Sequence, residues 1–224
     1  MTTATIRTRI EQIGIVPAIR FSSAEDALFA IEALSDSGIP IAEVTMTTPG
    51  AIELISELAR TKPELIIGGG SVIDLATTRR CLEAGAKFLT SPGLDIEVVE
   101  FAVKHNVVVF PGALIPTDIM AAWKAGSDFV KVYPCSLLGG ASYIRTLKSP
   151  FPHIPLIASG GVTQGNAADY ILAGAIGLGI GRELINPEAV QRRELDWIRE
   201  LAGRFLQIVK DARDQRAPGK NGKV

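Results

Sequence analysis

A single (β/α)8 barrel is the fold the sequence predicts, and three observations predict it. Eight short apolar runs recur along the chain, helical patterns fill the stretches between them, and no nucleotide-type glycine fingerprint opens the first turn. The runs are Ile15–Arg20, Ile41–Met46, Leu65–Gly70, Phe88–Pro92, Val107–Gly112, Phe129–Pro134, Pro155–Gly161 and Gly177–Gly181. Short Val- and Ile-rich segments that end in Gly or Pro read as parallel strands buried on both faces. Eight strand–helix units of roughly 20–30 residues each favour closure into a barrel over an open doubly wound sheet.

The helices between the runs have readable ends. Ser22 with Glu25 forms a capping-box pair, Ala27, Ala30, Ile31 and Leu34 share one face, and Gly38 stops the helix. Thr48 with Pro49 is expected to open the second, and Asp74 and Asp95 to cap the next two. Ile198, Leu201, Ala202, Phe205, Ile208 and Val209 form the stripe of the last one. An extra helix precedes the first strand. One domain over 1–213 is expected, with 214–224 as a disordered tail.

Composition narrows the function classes. The chain has 224 residues, 47% hydrophobic and 21% charged, enough apolar material for a core that needs neither disulfide nor metal. A net charge of −1 without a basic stripe in the body of the chain argues against nucleic acid. Cys81 and Cys135 lie too far apart for a metal motif, and two free thiols fit a reducing compartment. His105 and His153 form no zinc spacing and read as surface residues. No apolar run approaches the roughly 18 residues of a membrane span, and the polar N-terminus is no secretory signal. The expectation is therefore a cytoplasmic domain with no metal, cofactor, membrane or nucleic-acid partner.

Two residues break the apolar pattern of their strands. Alternation puts Phe129, Lys131 and Tyr133 on one face of the sixth run and Val130 and Val132 on the other. The valines suit the outer helices, so Lys131 faces into the barrel. Burial disfavours a charged amine, and the neutral amine is the form that attacks a ketone carbonyl. By the same alternation Ile41, Glu43 and Thr45 face inward on the second run. A carboxylate beside such an amine is either a structural ion pair or a nucleophile with its proton shuttle.

A third signal sits at the ends of the last two strands. Gly160-Gly161 and Gly179-Ile180-Gly181 provide turns whose backbone N–H groups, with following helix N-termini, can cradle phosphate, or they merely permit tight turns. Arg20 and Arg182 end strands that become neighbours on closure, and either can add positive charge there.

In order along the chain, Ile15-Val-Pro-Ala-Ile-Arg20, Ala42-Glu-Val-Thr45, Gly68-Gly-Gly-Ser-Val72, Ser91-Pro-Gly93, Phe110-Pro-Gly112, Phe129-Val-Lys-Val-Tyr-Pro134 and Gly160-Gly161 resemble the 2-keto-3-deoxy-6-phosphogluconate (KDPG) and 4-hydroxy-2-oxoglutarate (KHG) aldolases. The match covers about residues 10–190 with almost no gaps. The resemblance implies a class I aldolase, a carbon–carbon lyase in which Lys131 forms a Schiff base with a small 2-keto acid and Glu43 moves protons. It implies that Tyr133 and Pro92 line the pyruvate pocket, that products are pyruvate and an aldehyde, or pyruvate and glyoxylate from KHG, and that the protein is a homotrimer.

Departures from the family pattern fall on substrate contacts. The family carboxylate-gripping arginine is Thr47 here, its threonine is Ser71, a second threonine is Ile115, and the serine that helps hold phosphate is Arg182. Losing a charge-assisted contact costs more than losing a neutral hydrogen bond, so recognition is expected to have shifted while Lys131 and Glu43 are kept. Two other readings remain open at this point. One is a barrel of the same family that only binds its ligand, and the other is a sugar-phosphate isomerase or epimerase.

Overall fold

The computed structural model describes residues 1–216, and its first element closes one end of the barrel. Helix α1 (Thr3–Ile13) starts where the Thr2 side chain accepts a hydrogen bond from Thr5 N and stops at Gly14, whose φ of 69° is left-handed. Its buried residues, Ile6 and Ile10, join an inner apolar cluster with Val16, Ile41, Ile66, Phe88, Val108, Phe110, Phe129 and Ile157. One helix thus plugs the N-terminal mouth and leaves the other end for chemistry.

The strands are β1 (Ile15–Ile19), β2 (Ile41–Thr45), β3 (Ile66–Gly70), β4 (Phe88–Thr90), β5 (Val108–Phe110), β6 (Gly112–Ala113), β7 (Val130–Val132), β8 (Leu156–Ser159) and β9 (Gly177–Ile180). All pairings are parallel, in the order β5-β4-β3-β2-β1-β9-β8-β7-β6. The fifth expected strand is two pieces because Pro111 has no N–H to give to the ladder. Its carbonyl still accepts from Lys131 N at 2.9 Å, and Asp128 N donates to Val109 O at 3.0 Å, so the ring closes across the break.

Outside the strands run α2 (Ala24–Asp36), α3 (Ala51–Thr61), α4 (Leu75–Glu83), α5 (Ile96–Lys104), α6 (Pro116–Lys124), α7 (Ala141–Lys148), α8 (Ala167–Leu172), α9 (Pro187–Gln191) and α10 (Leu195–Arg216). A second, larger core lies between them and the outward strand residues, among them Val44, Leu89, Val130 and Val132. The last helix packs against α2 and α8 and completes the helical ring.

Three helix ends differ from expectation. Helix α2 is capped by Ser23, which accepts from Asp26 N at 3.1 Å, and not by Ser22. Its apolar stripe tolerates either start, and Glu25 instead pairs with Arg193 at 2.6 Å. Helix α3 starts after Gly50 (φ 72°) rather than at Thr48. The Thr48 hydroxyl accepts from Phe21 N at 3.3 Å and so ties the end of β1 to the loop after β2. Helix α10 continues through Arg216, whose guanidinium donates to the Ile171 and Ala175 carbonyls, past the expected end at 213. The rest of the expected tail, 217–224, lies outside the described residues. Asp74 and Asp95 cap α4 and α5 as expected.

Candidate active site

Register places the charged pair in the middle of the barrel. Ala18 opposes Glu43 across β1 and β2, Glu43 opposes Gly68 on β3, and Lys131 lies between Gly112 and Ile157. Lys131 is 8% exposed and Glu43 3%, with Lys131 Nζ 3.6 Å from Glu43 Oε2. That distance permits attraction yet exceeds a hydrogen bond, so the amine is not locked onto the carboxylate. The Tyr133 ring centroid lies 5.5 Å from Lys131 Nζ on the outer side.

Space for this pair comes from glycine. A Cβ on Gly70 would overlap the Glu43 carboxylate, and one on Gly68 would come within 2.5 Å of the Phe88 ring. Just beyond Gly70, Ser71 holds a φ of 59°, a left-handed conformation costing a non-glycine residue about 1–3 kcal/mol. Gly160 and Gly161, with φ of 83° and 84°, occupy the same region, where glycine pays no such cost.

Lys131 and Glu43 line a cavity of about 420 Å³ at the C-terminal mouth. Arg20, Ser71, Pro92, Tyr133, Gly160, Gly161, Gly181 and Arg182 line it too, so nearly every site residue expected from the sequence meets here. Thr47 does not. It is exposed, and its hydroxyl hydrogen-bonds Thr45 Oγ1 at 2.8 Å outside the cavity. Gly179 of the last glycine turn also lines it, and Ser159, Val162, Thr163 and Glu183 are among the wall residues that had not been singled out as contacts. Inward phase on the seventh run is the signal that would have found Ser159.

The glycine turns Gly160–Gly161 and Gly179–Gly181 line the cavity, and no helix starts directly after Gly161. Helix α8 begins at Ala167, well past Gly161, and α9 turns Pro187, which has no N–H, toward the cavity. Besides Lys131, the positively charged residues that line the cavity are Arg20 and Arg182. Both are exposed, and among the described residues neither is in an ion pair. Two wider surface grooves, of about 650 and 740 Å³, lie along α3–α4 and beneath α1, and their charged residues are all exposed. Among the described residues no cluster of His, Cys, Asp or Glu could hold a metal ion, and no helix is long and apolar enough to cross a membrane.

A buried lysine facing a carboxylate at the C-terminal mouth of a (β/α)8 barrel is the arrangement that Schiff-base chemistry requires. The family described as KDPG and KHG aldolase matches residues 6–201, and the chain belongs to it. The 2-dehydro-3-deoxy-phosphogluconate aldolase of Pseudomonas aeruginosa is 32% identical over 195 residues, 87% of this chain and 88% of that protein. Among solved structures, KDPG aldolase from Legionella pneumophila, with pyruvate captured as a covalent carbinolamine, superposes with a TM-score of 0.82 at 29% identity, covering 88% of this chain and 96% of that one. A cube-shaped protein cage designed by fusing symmetric oligomeric domains contains a similar fold, with a TM-score of 0.83 at 26% identity over 92% of this chain and 75% of that one.

Proposed function

We propose that the protein cleaves a 2-keto-3-deoxy sugar acid of the KDPG or KHG kind to pyruvate and an aldehyde, with residues 1–213 as the catalytic domain. The buried Lys131–Glu43 pair, 3.6 Å apart beneath an open cavity, is the observation that carries this reading. Lys131 Nζ adds to the C2 carbonyl, and the carbinolamine loses water to give an iminium. The C3–C4 bond then breaks, its electron pair moving into the iminium as an enamine while the C4 hydroxyl proton leaves and the aldehyde departs. Glu43 takes that proton and returns one to C3, after which hydrolysis frees pyruvate and Lys131.

Substrate contacts follow the cavity wall. Arg20 and the Ser71 hydroxyl hold the carboxylate in place of the family arginine that Thr47 replaces. Tyr133 and Pro92 flank the pyruvate portion. Gly160, Gly161, Gly181 and Arg182 receive the far end of the substrate, where a phosphate or second carboxylate gains from the guanidinium. Family membership favours the lyase over an isomerase or epimerase. A protein that only binds its ligand would keep an unused charged pair buried, which is costly.

A homotrimer fits the exposed apolar residues Ile73 (63%) and Leu137 (77%), which lie on segments after β3 and β7. The two buried free thiols fit a cytoplasmic location.

Release of pyruvate from KDPG and from KHG, followed by coupled reduction, tests the activity. Turnover of either that is lost in Lys131→Ala is the expected result. No pyruvate from either substrate would contradict the substrate class.

A further inference from the structure

Level with the Lys131–Glu43 pair, on another strand, lies a hydroxyl that the proposed chemistry leaves unused. Thr90 ends β4, is 1% exposed, and its Oγ1 has no hydrogen-bond partner among the described residues. Its direction follows from alternation, because Phe88 belongs to the inner cluster and Leu89 to the outer core. Thr90 therefore points inward, and Pro92, the next residue in that phase, lines the cavity.

Register fixes its level. In barrels of this type the strands tilt so that each interior layer holds four residues from alternate strands. Glu43 opposes Gly68, which opposes Phe88, so two residues further along β4 Thr90 stands level with Glu43. Thr90 opposes Phe110, and Gly112 opposes Lys131, which puts Lys131 in the same layer. Lys131 opposes Ile157, which opposes Gly177, and the fourth member is Gly179. The layer closes on itself, since Gly179 opposes Val16 and Ala18 opposes Glu43. It holds an amine, a carboxylate, a hydroxyl and a glycine whose missing side chain leaves room for Ser159.

An orphan hydroxyl at that level is unfavourable for folding, and valine would fill the same volume without it. We propose that Thr90 is a positioning residue for the proton that Glu43 carries. Its O–H donates toward the Glu43 carboxylate through one water, and holds it where a proton passes to the enamine carbon. In that step the Glu43 carboxyl gives its proton to C3 and the enamine nitrogen pair re-forms the iminium, which leaves Glu43 as the carboxylate that accepts the next proton. The assignment rests on the aldolase reading above.

The test uses pyruvate alone, in D2O, with Thr90→Val and Thr90→Ser beside the unsubstituted protein. Exchange of the pyruvate methyl protons reports the Glu43 step, borohydride trapping reports Schiff-base formation, and thermal unfolding reports the fold. Thr90→Val is expected to slow exchange about tenfold with trapping unchanged and Tm equal or higher, and Thr90→Ser to restore the rate. Exchange at the unsubstituted rate in folded Thr90→Val would overturn the assignment and make the hydroxyl a packing feature only. Absence of both exchange and trapping in the unsubstituted protein would overturn the aldolase reading and this assignment with it.

Discussion

The carboxylate of Glu43 occupies the volume that a side chain on Gly70 would need, one strand away on β3. The carboxylate proposed as the base thus has its place because Gly70 lacks a methyl group, and the residue that follows, Ser71, takes up the strained turn out of the strand.

Gly70→Ala should displace Glu43 and leave the barrel folded. Overpacking of one methyl costs typically 1–3 kcal/mol, small beside the loss of a correctly placed base. Thermal unfolding should show a modest drop in Tm, while cleavage slows by about 100-fold or more. An active Gly70→Ala protein would mean that Glu43 has another competent position.

Replacing the base alone separates its role from that of the amine. Glu43→Gln keeps the shape and removes the proton acceptor, so turnover is expected to fall by ~10²–10⁴-fold. Trapping of pyruvate on Lys131 should persist at reduced rate. Equal loss of trapping and turnover would give Glu43 a part in binding instead.

Arg20 and Arg182 should affect different ends of the substrate. Arg182→Ala is expected to raise KM for a phosphorylated substrate about tenfold and to change KM for pyruvate little, since a charge-assisted contact is worth roughly 1.5–3 kcal/mol when dry and less at an exposed guanidinium. Arg20→Ala should raise KM for both. Steady-state kinetics on the two variants decides, and a reversed pattern would exchange the assignments.

Burial pushes the Cys81 thiol up to about 11, with its Sγ against the Met46 sulfur at 3.8 Å. A thiol that titrates higher folded than unfolded adds stability below its unfolded value of about 8.5. That contribution is lost as pH rises through about 11. Chemical unfolding from pH 8 to 11 should therefore show a steeper loss in the unsubstituted protein than in Cys81→Ala, by about 2–3 kcal/mol across the window. Parallel curves would show that the thiol titrates normally in the folded state.

Much of this was readable in the chain because period-2 alternation leaves few choices. Lys131 and Glu43 are charged residues at inward positions of otherwise apolar strands, and the same rule fixed Val130 and Val132 as outward. What alternation cannot see is local backbone chemistry. It did not separate Ser22 from Ser23 as a cap, or show that Pro111 divides a strand, since both depend on which N–H finds a partner. Nor does position in a motif fix where a loop residue points. Thr47 follows the second strand as the resemblance requires, and still turns to Thr45 rather than to the cavity. Ser159 and Thr90 were missed because small hydroxyl residues on inward positions attract no notice beside a lysine.

The proposed mechanism requires that Lys131 form a covalent imine with a 2-keto acid. Incubation with pyruvate and borohydride, followed by mass spectrometry of the intact chain and its peptides, tests it most directly. One reduced pyruvate adduct per chain, located on Lys131 and absent from Lys131→Ala, is the predicted result. No adduct under conditions that label a known class I aldolase, or an adduct on another lysine, would contradict it.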